Sequence, residues 1–499
     1  MKPAWLATFA PCRFAPHWAN GSLVALLAVA GCRHLAPPAP LRSIDALDET
    51  SQISLLFAVD EAPPETSATW ERTPDDSTAA LTLSIDDAVA LALQGNPRLR
   101  MARAAVERAR GEEHKAFAPF LPDVGLTNRI GAVSNNLSPG APGISGGIVG
   151  GLVDAPHTFM QSELQIQWML HDFGRTSGRY QRAVSQERIA ELQYSRMQET
   201  VGFDAGAGLL QGLLATALRI VQEDAIRAAE STLKDSRVRR AAGVADRDDV
   251  LRAEVQVSEV REAWVLARET ELAAFARLNN VLGRNAALPL TLVEPRLRPP
   301  LPPSLKDCLE IAAVRRPEIG VVQNAVAAAR SGREAAAAEY RPRIYVRGSV
   351  GYVDGDNILK GFQEGVGLHL DQPIYQGGRR AGELHAAEAE ILAAGANAQA
   401  MLDAITLEVT IAFRGVGAAH SRIELSKPAV AEAEENLRLV RTRYRNGNAT
   451  PTDIVDAEST LTRAKQRYAV ATYDYLIALI RLDYALGNPP AAALTNATR

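Results

Sequence analysis

The chain has 499 residues, of which 47% are apolar and 22% charged, and a net charge of −4 with histidines neutral. That is ordinary globular composition at a length sufficient for more than one domain, which excludes a fibrous or wholly disordered chain. Nothing in the slightly acidic balance suggests a nucleic-acid partner.

In chain order, an export signal comes first. Lys2 and Arg13 precede an apolar run from Leu23 to Ala30, and Val29, Ala30 and Gly31 lead into Cys32. Small residues directly before a cysteine fit a lipoprotein signal over 1–31 with lipidation at Cys32; an ordinary secretory signal is the alternative. Eight apolar residues fall short of the ~20 a spanning helix needs, and no other stretch is expected to reach that length. Arg33 rather than Asp follows Cys32, which by similarity to bacterial lipoproteins favours the outer membrane. Cleavage would remove two bases and no acids, taking the net charge from −4 to −6. Cys12 would leave with the signal and Cys32 would carry lipid, so Cys308 is expected as a small buried residue. Residues 32–80, rich in Pro, Ser, Thr, Asp and Glu, read as a tether.

A tandem repeat follows. "LSIDDAVALALQGNPRLR" aligns with "PSLKDCLEIAAVRRPEIG" at an offset of 220: Ser84 with Ser304, Asp87 with Asp307, Pro97 with Pro317 and Pro122 with Pro342. Further on the offset is 204, pairing Arg175 with Arg379, Gly243 with Gly447 and Asp249 with Asp453. The difference falls in a Gly/Pro-rich loop at 134–158, where repeat 2 has only the shorter "DGDNILKG". Repeat 1 thus spans 81–283, a linker 284–303, repeat 2 304–488 and a tail 489–499. Each repeat reads as short helix, helix, strand pair, very long helix, glycine break and returning helix.

The strand pairs, at about 123–133 with 159–170 and about 343–353 with 362–375, alternate with period two. Leu164, Ile166, Trp168 and Leu170 oppose Gln165 and Gln167, and Val366, Leu368 and Leu370 oppose Gly367, His369 and Asp371. A soluble sheet gives this pattern, and so does a barrel with lipid outside and water inside. Runs of about ten residues match a tilted membrane strand. Four strands cannot close a barrel, and open edges are forbidden in lipid. Three chains would supply twelve strands. From Gly174 to Gly243, and from Gly378 to Gly447, is 69 residues, or ~100 Å of helix. The fold class is therefore mainly α with a transmembrane β part: long helices forming an α-barrel and four strands per chain in a shared twelve-stranded β-barrel. A solid coiled-coil bundle is the alternative, but it leaves the strands unexplained. The long loop at 134–158 is expected outside the cell, where longer barrel loops belong.

At the glycine breaks one pattern occurs twice: Arg239, Gly243 and Asp249, then Arg443, Gly447 and Asp453. The tip turns are expected at 242–248 and 446–452. Gly447 and Asn448 accept the left-handed backbone that ends a helix, Thr450 is a natural N-cap, and Pro451 suits the first helical position. Helix capping is one reading of Asp249 and Asp453. Asp456 lies one turn further in, on the same face as Asp453. The matching place in repeat 1 holds Arg252, a possible local cation for Asp249.

Motifs suggestive of catalysis do not hold together. "GISGG" around Ser145 lies in a Gly/Pro loop without the strand and helix a nucleophile elbow needs. "DFG" at Asp172–Gly174 aligns with Gln376–Gly378 and reads as a strand-to-helix corner. The eight His residues are scattered, so no metal site, catalytic residue or cofactor is expected.

These features together, from about Leu81 to Pro489, resemble the TolC-like outer-membrane efflux proteins. The resemblance implies a homotrimer with a twelve-stranded barrel in outer-membrane lipid and a helical tunnel through the periplasm. Its partners would be a periplasmic adaptor and an inner-membrane pump. It implies a passive conduit for efflux or type I secretion, with Arg239, Gly243, Arg443 and Gly447 at an adaptor-contacting tip. It further implies an acidic aperture at Asp453 and Asp456, with Tyr444 bonded to Asp249 of the neighbouring hairpin. Ala449 stands where relatives can carry a basic latch. The rival is a periplasmic adaptor lipoprotein, which has one hairpin where this chain has two in tandem.

Overall fold

The computed structural model describes residues 81–133, 157–295, 304–355 and 361–488. The signal, Cys32, the tether, the loop with Ser145, residues 296–303 of the linker and the tail 489–499 lie outside the described residues.

Both repeats open alike. In repeat 1, β1 (Leu81–Leu83) leads into α1 (Ile85–Gly95), and Pro97 then starts α2 (Pro97–Phe117). In repeat 2, α5 (Leu305–Arg315) is followed by α6 (Pro317–Ala338). The aligned serines and aspartates are N-caps and their partners: Asp87 N–H donates to Ser84 Oγ at 3.2 Å, and Asp307 N–H to Ser304 Oγ at 3.3 Å. Proline fixes φ and lacks an N–H, so it suits the first position of the second helix.

A 3₁₀ turn, Ala118–Phe120, delivers the chain to β2 (Asp123–Val133); β3 is His157–His171. From there α3 (Arg175–Ala241) runs 67 residues and α4 (Arg247–Val281) returns. A short strand, β4 (Leu290–Leu292), precedes the second repeat. That repeat continues with β5 (Arg343–Gly355), β6 (Gly361–Asp371), α7 (Arg379–Arg445, also 67 residues) and α8 (Pro451–Leu486). Each long helix is thus ~100 Å. Pro428 sits inside α7 without ending it.

The four long strands form one antiparallel sheet in the order β2-β3-β5-β6. The two hairpins are joined by β3 and β5, and a bulge falls between Met169 and His171. Two boundaries differ from expectation. Strand β6 ends at Asp371 rather than 375, because Pro373 has no N–H for a ladder. The linker holds β4, which pairs in parallel with β1 through Leu81↔Leu290 and Leu83↔Leu292. Three residues are too few for periodicity to register.

Two cores lie where the short helices meet the middles of the long ones. One joins Val89, Leu209, Leu210 and Leu278 with Tyr473 of α8, and the other joins Cys308, Val409, Val416 and Leu482. Burial pushes the Cys308 thiol pKa up. Contrary to expectation, α3 does contain an 18-residue window apolar enough to span a bilayer, at mean hydropathy 1.3. Over half of it is buried inside the protein, as suits the helix that carries Val201, Leu209 and Leu213 into the first core.

Candidate functional site: the exposed sheet and the tip hairpins

At one end of the molecule the sheet exposes an apolar face. Register places Leu126 opposite Leu164, Leu164 opposite Val350, and Trp168 opposite Val346, which in turn faces Leu368. Opposed residues on antiparallel strands point the same way, so these side chains form one continuous face. Leu126 is 67% exposed, Ile130 83% and Val366 82%, far beyond the scattered apolar residues of a soluble surface. The other face is polar, and Arg347 donates to Gln167 Oε1 at 3.0 Å across it. Both edge strands, β2 and β6, have one unpaired side. Aromatics mark the helix end of the sheet: Phe117, Phe120 and Tyr180 cluster, and Trp168 donates to the Phe120 carbonyl at 3.0 Å. The amphipathic rings of Tyr180 and Trp168 suit a membrane–water boundary.

The corner between sheet and helix is set by backbone. Asp172 Oδ2 accepts from the Thr176 N–H at 2.7 Å, and Phe173 and Gly174 take positive φ of 54° and 105°. In repeat 2, Gly377 and Gly378 hold the same places with φ of 59° and 84°. "DFG" is therefore a turn.

At the other end each long helix stops on a left-handed glycine, Gly243 at φ 75° and Gly447 at φ 76°. The Val244 N–H reaches back to the Arg239 carbonyl at 3.0 Å, and the Asn448 N–H to the Arg443 carbonyl at 2.8 Å. A Cβ at either glycine would meet nothing within 4 Å, so both turns offer bare backbone to solvent. The returning helices start on capping boxes. Thr450 N–H donates to Asp453 Oδ2 at 2.7 Å and Asp246 N–H to Asp249 Oδ2 at 3.4 Å. Those bonds from the Thr450 backbone and hydroxyl hold the Asp453 pKa below the usual carboxylate value.

Two contacts expected at the tip are not made within the chain. Tyr444 does not bond to Asp249 within the chain. Its hydroxyl is buried without a hydrogen-bond partner among the described residues, while Asp249 is taken up by its own cap. Arg252 pairs with Asp248 at 2.9 Å instead of with Asp249, because an i,i+4 reach is closer in than the capped carboxylate. Arg239 is engaged within the chain. Its guanidinium lies 4.0 Å over the Tyr444 ring and donates to the carbonyls of Tyr444 at 2.7 Å and Arg445 at 3.3 Å. It thereby clamps the repeat-1 tip to the repeat-2 tip, and no local pattern in the sequence announces this contact across 205 residues. Asp453 and Asp456 are exposed and line one groove of ≈ 280 Å³ together with Arg443 and Asn448.

An apolar-faced sheet with open edges at one end of two ~100 Å helical hairpins, and bare glycine turns at the other, defines a subunit of a membrane-anchored helical conduit. The chain belongs to the outer membrane efflux protein family, whose profile matches residues 88–284 and 308–488. It is 25% identical over 407 residues to outer membrane protein TolC of Salmonella enteritidis, covering 79% of each chain. It is 24% identical over 338 residues to alkaline protease secretion protein AprF of Pseudomonas aeruginosa, covering 65% of this chain and 69% of that one. The fold matches the CmeC outer membrane channel of Campylobacter jejuni with a TM-score of 0.71 at 14% identity, over 86% of this chain and 90% of that one. The chain is accordingly an outer-membrane channel component of the efflux or secretion type and not a periplasmic adaptor.

Proposed function

We propose that the protein works as a homotrimeric, non-catalytic conduit, anchored by lipid at Cys32 and docked at its tip to a periplasmic adaptor and an inner-membrane pump. The observation that carries the trimer is the sheet: four strands with an exposed apolar face and two unpaired edges, which lipid tolerates only in a closed barrel. Twelve strands from three copies close it with an even number. Gly243 and Gly447, with nothing within 4 Å of a Cβ, offer the adaptor close backbone contact. Asp453 and Asp456 would ring the aperture, raising the local cation concentration.

Native mass in detergent, heat-modifiable migration and outer-membrane fractionation test the conduit. A trimer in the outer membrane is expected, and a monomer in the soluble periplasm would overturn the reading. Conductance of purified protein in planar bilayers tests the aperture. Asp453→Ala with Asp456→Ala should lower cation selectivity and remove block by multivalent cations; unchanged selectivity and block would leave both residues as helix-start groups.

A further inference from the structure

The two repeats meet the membrane boundary with different chemistry. In repeat 1, Trp168 donates to the Phe120 carbonyl, and the rings of Phe117, Phe120 and Tyr180 cluster beside it. Repeat 2 copies the hydrogen bond. The repeat offsets match Trp168 with Gln372 and Phe120 with Tyr340, and the Gln372 amide donates to the Tyr340 carbonyl at 3.1 Å. Tyr340 therefore holds the same level of the sheet end as Phe120. The side chains around it are not copied. Leu121 is matched by Arg341, and Thr176 by Arg380. The Arg380 guanidinium lies 4.9 Å from the centre of the Tyr340 ring and donates to the Ile374 carbonyl at 2.7 Å, while Arg341 donates to the Phe173 carbonyl at 3.4 Å.

Neither guanidinium is paired with a carboxylate among the described residues. The carboxylates of this corner are taken: Glu339 by Arg175 and Arg179, Asp371 by Arg343, and Glu383 by Arg379. Backbone carbonyls orient Arg341 and Arg380 but leave both charges unneutralised. Beside them, Ile374 is 90% exposed and Tyr375 84%, and Leu370 continues this apolar surface onto the lipid-facing side of β6. A group that satisfies the corner needs a negative charge for the arginines and an apolar part for Ile374 and Tyr375. A phospholipid of the periplasmic leaflet has both, in the order the structure asks for: phosphate at the boundary and chains along the sheet. A free phosphate would leave Ile374 bare.

We infer that Arg341 and Arg380, beside Tyr340, hold the phosphate of an anionic phospholipid at the membrane boundary, once per chain. The inference rests on the barrel reading, which puts this corner at the membrane surface. A guanidinium matches phosphate with a planar fork of donors, and the Tyr340 ring beneath Arg380 holds that fork in place. Repeat 1 has Leu121 and Thr176 at the matching places and so has no such site. Around a closed barrel, aromatic sectors from repeat 1 would alternate with lipid-holding sectors from repeat 2.

Native mass spectrometry of the full chain in detergent tests this, with dioleoyl phosphatidylglycerol or dioleoyl phosphatidylethanolamine added in equal amounts. Phosphatidylglycerol, which carries a net negative charge, should be retained in preference, up to one molecule per chain. Arg341→Gln with Arg380→Gln should cut that retention by about fivefold per arginine. Arg341→Lys with Arg380→Lys keeps the charge and should keep the preference above parity; parity there would overturn the site. Equal retention of the two lipids by the native chain, a comparison that needs no variant, would overturn it too, as would an unchanged preference in the Gln pair. Displacement of phosphatidylglycerol by glycerol 3-phosphate at matched concentration would mean a site for free anions and overturn the lipid assignment. An outer-membrane trimer without the preference would leave the conduit standing, whereas a monomer in the soluble periplasm would overturn both.

Discussion

Arg175 and Arg379 hold the same place in the two repeats, the first residue of a 67-residue helix, yet they live in different surroundings. The Arg175 side chain is 5% exposed, with its Nε 2.8 Å from Glu339 of repeat 2 and its Nη2 donating to the Ala338 carbonyl at 3.3 Å. The Nε–H does not point at the carboxylate, so the Glu339 contact is one of charge more than of hydrogen bonding. The Arg379 side chain is 52% exposed and keeps to local partners, Glu383 at 2.6 Å and the Gln376 Oε1 at 2.7 Å. The chemistry is the same and the neighbour differs: repeat 2 covers Arg175, and no part of the described chain buries Arg379 in the same way. An internal duplication can thus leave two equivalent positions in one chain, one covered and the other open.

That contrast can be broken by experiment, beginning with the corner itself. Glu339→Ala would leave Arg175 buried without its countercharge, a loss of ~3–5 kcal/mol, whereas Glu383→Ala on the exposed pair should cost under ~1 kcal/mol. Thermal melts followed by circular dichroism compare the two, and equal losses would show that burial at Arg175 is not what separates the repeats.

The next pair sharpens the same point with one substitution of opposite sign. A Cβ at Gly178 would sit 2.8 Å from the Ser331 carbonyl oxygen and 2.9 Å from the Ala335 nitrogen, backbone atoms that cannot swing aside. Its equivalent Gly382 has nothing within 4 Å. Gly178→Ala should therefore destabilise by ~1–3 kcal/mol through overpacking, while Gly382→Ala gains up to ~1 kcal/mol of helix propensity in dispersed single chains. A common sign for both would break the comparison.

The smallest effect is a titration. Tyr473 of α8 is buried and donates to Glu294 at 3.1 Å, while its counterpart on α4, Glu269, is exposed. Burial first, and the Glu294 charge second, push the Tyr473 phenol up to about 12 from an ordinary 10.0. A raised folded pKa means stability that is complete below pH 10 and lost as pH climbs toward 12, ~2 kcal/mol in all. Alkaline melts should show that loss in the native chain and a flatter profile in Tyr473→Phe.

Much of this architecture was legible in the sequence because it is local. Alternation in "SELQIQWML" needs only neighbours, and it gave the exposed apolar face of β3. The glycine breaks with Thr450 and Asp453 contain their own capping chemistry, and the offset of 204 ties the two tips together. What escaped was contact between distant segments. Arg239 reads as a surface base in "RVRRAAG" but is held by carbonyls 205 and 206 residues away. The β1–β4 pairing is three residues long and separated by the whole of repeat 1. The Tyr444–Asp249 bond, implied by resemblance alone, gives way to a capping bond on one side and a stacked guanidinium on the other.

Pro428 gives the two long helices unequal stiffness. It has no N–H to offer the Glu424 carbonyl, whereas the matching place on α3 is Asp224, which has one. From Pro428 to Tyr444 is 16 residues, an arm of ~24 Å. A bend of ~10° at that joint carries Tyr444 sideways by ~4 Å, more than the length of a hydrogen bond. A bend of that size at Pro428 would suffice to unseat Arg239 from its carbonyls.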